Sequence, residues 1–582
     1  MSAQRRFRTT ALAVGASATL VAASGCSLFG TEDPEGTTEI QLLALNDFHG
    51  NLEANEGMGV TVHDEHGEEE FIEAGGAEYL ATHLDEAREG FDNTLTVAAG
   101  DLIGASPFLS AAFDDQPTLD SLYGMGLDVS SVGNHEFDQG IDELQRLIHG
   151  GCPDEGCADG QEWEGMGFPY LGANVVDAET GEAILDATYV HEFDDGATVG
   201  FIGMTLEGTA DIVAKSGIEG IEFRNEVETA NEHAQALLDD GVNAIVVLLH
   251  EGGYPAAEDA DNQECETFGD EPSISGPIVD MAENMDSSID LIVTGHTHRA
   301  YVCTFEDPNG EPRMVTSAGQ YGTIFSDIRM EYDFETSDII RTSVEGTNII
   351  VERNVEADPV QTGLIDGYNE ALAPIAQEVV GHLQEPIMLG ATRAEEFALG
   401  NLIADVQLAR TAEEELGGAQ IAFMNPGGVR ADLIPNDEGE VTYEQVFTVQ
   451  PFGNYLVTMD LTGDQIVTLL QQQYTDRPNE PLILLPSEGF TYTLDESQEG
   501  EDKVLTDSLQ LNGEDIEADQ TYRVTVNSFL ADGGDSFTVL TEGQNVLYGE
   551  VDVDAFKEWL QENTSADDLL AAPALDRITI VD

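Results

Sequence analysis

Apolar residues in this chain gather in short runs, and several of those runs stop at a polar side chain. "EIQLLAL" (39–45) leads straight into "NDFHG", and "TLTVAAGD" (94–101) closes on Asp101. "LDVSSVGNHEFD" (127–138) delivers Asn134, His135, Glu136 and Asp138. "NAIVVLLHEGG" ends at His250, and "IDLIVTGHTH" ends at His296 and His298. Such runs predict buried strands. Between them, "GAEYLATHLDEAREG" and "EVETANEHAQALLDDG" have helical character. Strands alternating with helices predict a layered α/β domain. Strands that each end in Asp, Asn or His place those side chains on one rim, where such sheets bind ligands.

A single polar turn of this kind is usually a solvated loop. Five at equivalent positions are hard to explain as surface. Asp47, His49, Asp101, Asn134, His250, His296 and His298 offer oxygen and nitrogen ligands for two metal ions. Asp47/His49 and His296/His298 are each two residues apart, so an extended backbone would turn both members of a pair to one side. Asp101 can bridge two cations ~3.5–4 Å apart, as hydrolytic two-metal sites require. No cysteine belongs to the set, which leaves zinc, manganese, cobalt or iron.

In that order, D-x-H, G-D, G-N-H-E-F-D, an H-E-G-G turn and G-H-T-H resemble the calcineurin-like metallophosphoesterase signature. "NDFHG" and "GNHEFD" resemble the 5'-nucleotidase family, which includes UDP-sugar hydrolases. The resemblance implies a four-layer α/β/β/α domain and a partition of the ligands. Asp47, His49 and His298 would serve one metal, Asn134, His250 and His296 the other, and Asp101 both. It also implies that His135 is the catalytic histidine, paired with Asp138. The chemistry agrees: an imidazolium beside a phosphoryl group stabilises charge and assists the leaving oxygen, and a carboxylate orients it. Glu136 reads as structural, turned away from the site. His63, His66, His83, His149, His191, His233 and His382 lack strand-end placement, and "HDEHGEEE" reads as a solvated acidic loop.

The second half differs. Residues 357–383 carry helical spacing and begin with Pro near the first turn. In the family a helix here joins two domains. "RAEEFALGNLIADVQ", "NPGGVR", "TVQPFGNYL" and "VNSFLADGGDSF" then resemble motifs of an α/β 5'-nucleotidase C-terminal domain. Arg393 and Arg430 are scarce cations that suit a dianionic phosphate. By resemblance they bind it, Asn425 contacts the nucleoside, Phe452 and Phe529 in Gly-rich loops sandwich the base, and Asp535 holds ribose hydroxyls. Gly427 lets the backbone approach the ligand.

Composition changes the picture in three ways. At 582 residues, two domains are expected. A hydrophobic fraction of 41% suffices for globular cores. The 114 acidic against 20 basic residues, a formal charge of −94, make nucleic acid and anionic membrane poor partners. That charge suits solubility or a saline habitat.

The N-terminus reads as a targeting segment, with Arg5, Arg6 and Arg8 before an apolar run from Ala11 to Ala23 that is too short to span. "AASGC" resembles the bacterial lipobox, in which the cysteine, here Cys26, becomes lipidated. Export makes Cys152–Cys157 and Cys265–Cys303 the natural disulfide pairs, although four cysteines allow three connectivities. The expected division is a signal peptide (1–25), an acidic tether (26–38), a metallophosphoesterase domain (39–350), a linker with a helix (351–385) and a substrate-binding domain (386–582). The whole reads as a secreted, lipid-anchored dimetal hydrolase of nucleoside 5'-phosphates. UDP-sugars, 2',3'-cyclic nucleotides and a catalytically silent nucleotide-binding lipoprotein are the alternatives.

Overall fold

The computed structural model describes residues 36–581 apart from 56, 64–68, 153–162, 214, 256–263, 267–273 and 476–480. The expected signal peptide, Cys26, His66 and Cys157 lie outside the described residues. In the first half the main elements are β1 (Thr37–Leu45), α1 (Ala77–Arg88), β2 (Thr94–Ala99), α2 (Gln116–Gly124), β3 (Leu127–Ser131) and β4 (Thr198–Thr205). They continue with α3 (Glu226–Asp239), β5 (Ala244–His250), α4 (Pro277–Asn284), β6 (Leu291–Thr294), β7 (Pro312–Ala318) and β8 (Ile324–Asp333).

Two seven-stranded sheets face each other. The first carries β8, β1, β2 and β3 in that order, with β1, β2 and β3 parallel. The second carries β7, β6, β5 and β4, all parallel. The strands are apolar on both faces because each face meets a different layer. Ile40, Leu42 and Ala44 of β1 join Val246, Leu248 and Val293 in the core between the sheets. Leu43 and Leu45 point the other way, onto α1 and α2. Likewise Ile245, Val247 and Leu249 of β5 meet α3 and α4. This period-two sorting makes the four layers. Each fully buried aliphatic side chain contributes roughly 1.5–3 kcal/mol. Cys265 and Cys303, on paired strands of the second sheet, form the expected disulfide.

A helix, α5 (Pro359–Ala376), follows the first domain. Asp358 caps it by accepting from the amides of Val360 and Gln361, and Pro359 supplies the preset first turn. It packs back on α2, where the Ser121 hydroxyl donates to Gln361. Beyond it come α6 (Ala398–Thr411), β9 (Ile421–Met424), α7 (Tyr443–Val449), β10 (Tyr455–Thr462), β11 (Thr521–Asn527), β12 (Gln544–Val551) and α8 (Asp552–Asn563). Leu485–Pro486, β9, β11, β10 and β12 form a five-stranded sheet with cores of its own. The domains meet where Phe108 packs on Tyr443 and Phe447 of α7, with ring centroids 5.3 and 5.0 Å apart.

Candidate dimetal and substrate site

The level carboxyl ends of β1, β2, β3, β5 and β6 bring the seven candidate ligands to one rim. The backbone there is not extended, which corrects the sequence-based explanation of the D-x-H and H-T-H spacing. Asp47, His49, Asp101, His296 and His298 all have left-handed φ, between 47° and 69°. That conformation costs on the order of 1–3 kcal/mol per non-glycine residue and persists where the surroundings fix it. Here they do. The amides of Asp47, His49 and Gly50 donate to the carbonyls of Gly100, Asp101 and Leu102, lacing two strand ends together. The His296 amide donates to the Asp47 carboxylate at 3.0 Å, and the Asn46 side chain does so at 2.7 Å. Gly100 permits the crowding, since a Cβ there would lie 2.5 Å from the Gly133 nitrogen.

Among the described residues the donor atoms fall into three overlapping groups, one of which joins His49, Asp101 and His135. Asp47, His49 and His298 cluster on one side, and Asp101, His250 and His296 on the other, each within 4.8 Å. The Asn134 amide oxygen lies 3.0 Å from His296 Nδ1, beside the second group. Asp101 Oδ2 stands between them, 2.9 Å from His250 Nε2 and 3.7 Å from His49 Nε2.

Several contacts suit cations. His250 Nδ1 lies 2.7 Å from the Ala99 carbonyl and its Nε2 is turned on Asp101 Oδ2 at 2.9 Å; burial opposes protonation of this ring, but Asp101 prevails and raises it to about 10. His49 Nδ1 is similarly placed to donate to the Gly104 carbonyl, and its Nε2 faces His298 Nε2 at 3.1 Å. Burial pushes His49 down to about 3 and His296 down to about 4, so both are neutral imidazoles. Burial works against ionising Asp47 and Asp101, but His298 and His250 respectively outweigh it and hold both carboxyls below the usual range. Ring nitrogens turned on one another and on buried carboxylate oxygens fit divalent metal ions.

His135 lies beside this cluster and half-buried. Its Nδ1 is 2.7 Å from Asp138 Oδ2, and its amide donates to Asp101. Burial opposes its protonation, but Asp138 and Asp101 prevail and raise it to about 9. Glu136 faces away, as expected. It accepts from the amides of Asp101, Leu102 and Gly133 and from the Tyr170 hydroxyl, which fixes the β2 and β3 loops to each other.

Across the domain junction, a cavity of about 390 Å³ joins this rim to the second domain. Arg393, Asn425, Gly427, Arg430, Phe452, Phe529 and Asp535 all line it, with Asp101, Asn134, His135, Asp138, His296 and His298 opposite. The Asn425 amide donates to Asp535 at 3.0 Å and is itself fixed by Asn527 at 2.9 Å. Phe452 stacks on His135, with ring centroids 6.1 Å apart at 19°. Phe529 sits in a four-residue helix (Ser528–Ala531) rather than the expected loop, over Gly534, where a Cβ would strike its ring. Arg341, Arg410, Arg523 and Arg577 each hold carboxylates. Among the described residues, neither Arg393 nor Arg430 enters an ion pair, although the chain is overwhelmingly acidic. Ile212, Val213, Tyr254, Asn454 and Asn527 also line the cavity and were not singled out from sequence. Their types read as core or turn, and only the "VNSFLADGGDSF" motif hinted at Asn527.

Residues 40–300 match the family model of calcineurin-like phosphoesterases, and residues 379–542 match that of the 5'-nucleotidase C-terminal domain. The chain is 31% identical to the endonuclease YhcR of Bacillus subtilis over 91% of its own length, but spans 40% of that protein. It is 30% identical to the cell wall protein Lmo0130 of Listeria monocytogenes, covering 92% of this chain and 68% of that one. A 5'-nucleotidase of Vibrio vulnificus is 26% identical over 97% of both chains. The crystal structure of a 5'-nucleotidase precursor from Thermus thermophilus shares the fold, with a TM-score of 0.68 at 24% identity over 94% of this chain and 100% of that one. The chain belongs to the 5'-nucleotidase family of metal-dependent phosphoester hydrolases.

Proposed function

We propose that this protein releases phosphate from nucleoside 5'-phosphates outside the cytoplasm. One observation carries the reading: a single cavity has metal-ligand groups and His135 on one wall, and two arginines with two phenylalanines on the other. Asp47, His49 and His298 would hold one divalent cation, and Asn134, His250 and His296 the other, with Asp101 between. Bound there, such ions polarise phosphoryl oxygens and acidify a water. The chain's own residues do the rest. Arg393 and Arg430 collect the dianionic phosphate by charge-assisted bonds. Asp138 occupies His135 Nδ1, which leaves Nε2 to stabilise the phosphoryl charge and assist the departing 5'-oxygen. Phe452 and Phe529 grip the base, and Asn425 and Asp535 hold the ribose.

Extracytoplasmic placement is supported by the basic and then apolar N-terminal segment, by Cys26 in its lipobox-like context and by the Cys265–Cys303 disulfide. Tethering would run through Cys26.

Elemental analysis of purified protein, with phosphate release from AMP, UDP-glucose and 2',3'-cyclic AMP, tests the reading. Two metals per chain and fastest release from AMP are expected. Release from UDP-glucose or cyclic AMP alone would transfer the assignment to those substrates. No release from any of them, with nucleotide still bound, would identify a silent binding protein.

A further inference from the structure

Between β2 and α2 the chain leaves the ligand rim and returns to it. Residues 104–115 run out to Phe108, which packs on Tyr443 and Phe447 of the second domain, and come back to Asp115, directly before α2. One side chain ties the two ends of this excursion together. Asp115 Oδ2 accepts from the Gly104 amide at 3.3 Å, and its Oδ1 accepts from the Ser110 hydroxyl at 2.7 Å. The Ser110 hydroxyl lies 2.6 Å from that of Thr118, and both residues are fully buried. Asp115 itself has φ 60°, a left-handed conformation that Asp adopts more readily than most residues.

Gly104 connects this network to the site. Its carbonyl accepts from His49 Nδ1 at 2.9 Å, which leaves Nε2 facing His298 within the ligand cluster. Its φ is 82°, and a Cβ there would lie 2.5 Å from the His135 carbonyl and 2.9 Å from Asp138 Oδ2. One glycine thus orients a ligand and makes room for the His135–Asp138 pair. Glycine also has the widest backbone freedom of any residue, so its carbonyl stays in place only if something anchors it.

We infer that Asp115 is a positioning residue: by holding the Gly104 amide it fixes the glycine whose carbonyl sets the tautomer and ring plane of His49. This rests on the assignment of Asp47, His49 and His298 to one metal. Partners behind a ligand commonly govern metal affinity in this way.

Zinc binding by the full chain, measured by competition with a chelator, tests the inference on wild type, Asp115→Gly, Asp115→Asn and Ser110→Ala. Urea unfolding of each metal-free variant accompanies it, and His298→Ala identifies which of two binding steps belongs to the His49 side. Glycine accepts φ 60° freely, so Asp115→Gly removes the acceptor without backbone strain. It should weaken the His49-side step about 10–100-fold and leave the other within about twofold. Asparagine keeps an oxygen for the Gly104 amide, and the Ser110 hydroxyl can turn to accept from its amide group, so Asp115→Asn should stay within about threefold of wild type. Ser110→Ala loosens Asp115 without removing it and should weaken the same step about threefold, which keeps the inference testable if Asp115→Gly fails to fold. Both steps weakened equally, neither step weakened, or asparagine as poor as glycine would overturn it. A wild type that binds fewer than two zinc ions would sink the two-metal reading and this inference with it, whereas two ions with an unselective change would sink the inference alone.

Discussion

The two walls of the cavity are built by opposite means. On the first domain, Asp47, Asp101 and His250 are almost wholly buried, and Asp47 and Asp101 are laced by backbone hydrogen bonds in strained left-handed conformations. On the second, Arg393 and Arg430 reach the surface and, among the described residues, enter no ion pair, and Phe452 and Phe529 are half-buried. The first wall is preorganised: its groups cannot relax away, so charge developing near them meets fixed donors. The second is held more loosely, with the Arg430 guanidinium over the Phe452 ring at 5.6 Å and 3.5 Å from the Gly427 carbonyl, so a ligand completes its ordering on binding. The contrast assigns chemistry to the first wall and selection to the second.

Substitutions on the first wall should therefore strike turnover, and those on the second should strike KM. Asp101→Asn has the largest expected effect. It weakens both metal positions, each worth several kcal/mol, and should cost about 10⁴-fold in kcat with loss of metal by elemental analysis. His135→Ala comes next, at ~10²–10⁴-fold in kcat with both metals kept. If that variant lost metal, His135 would belong with the ligands instead. Arg393→Ala should raise KM by about 10–100-fold for AMP and p-nitrophenyl phosphate alike, since both carry the phosphate and such bonds contribute ~1.5–3 kcal/mol. An unchanged KM would remove Arg393 from the site.

The smallest catalytic effect concerns Asp552, which opens α8 behind the Phe452 loop. Its amide donates to the Asn454 carbonyl, and burial pushes its carboxyl up to about 8. The native state thus keeps a proton that the unfolded chain, near pH 4, has released. Stability from this group is complete below about pH 4 and is lost as the pH climbs towards 8. Urea unfolding of Asp552→Asn should show a flatter decline from pH 5 to 8, by on the order of a few kcal/mol, with turnover at pH 7 little altered. Identical slopes would mean that Asp552 is ionised in the folded protein.

Much of the first wall was legible in sequence, and for a physical reason. Strands buried on both faces must be continuously apolar, so the polar residue that ends one is conspicuous. The route by which Asp47/His49 and His296/His298 converge was not legible. D-x-H spacing looks the same whether the chain is extended or left-handed, and the Gly100, Asp101 and Leu102 carbonyls that decide it lie some fifty residues away. Ile212, Val213 and Tyr254 became part of the cavity only through the approach of the second domain, which no local pattern encodes. Phe452 was legible as an aromatic in a Gly-rich loop, but its stack on His135 was not. That contact means Phe452→Ala disturbs chemistry as well as binding, which makes Phe529 the cleaner probe of selection.

The central claim, that one wall selects nucleotides for the chemistry of the other, is tested most directly by Phe529→Ala. The quantity is the ratio of kcat/KM for AMP to that for p-nitrophenyl phosphate, on metal-loaded wild type and variant. Stacking on one aromatic face contributes ~1–3 kcal/mol and is available only to a substrate with a base. The ratio should therefore fall by roughly 10–100-fold, carried by the KM for AMP. A ratio left unchanged, with both substrates slowed equally or neither slowed, would contradict the account.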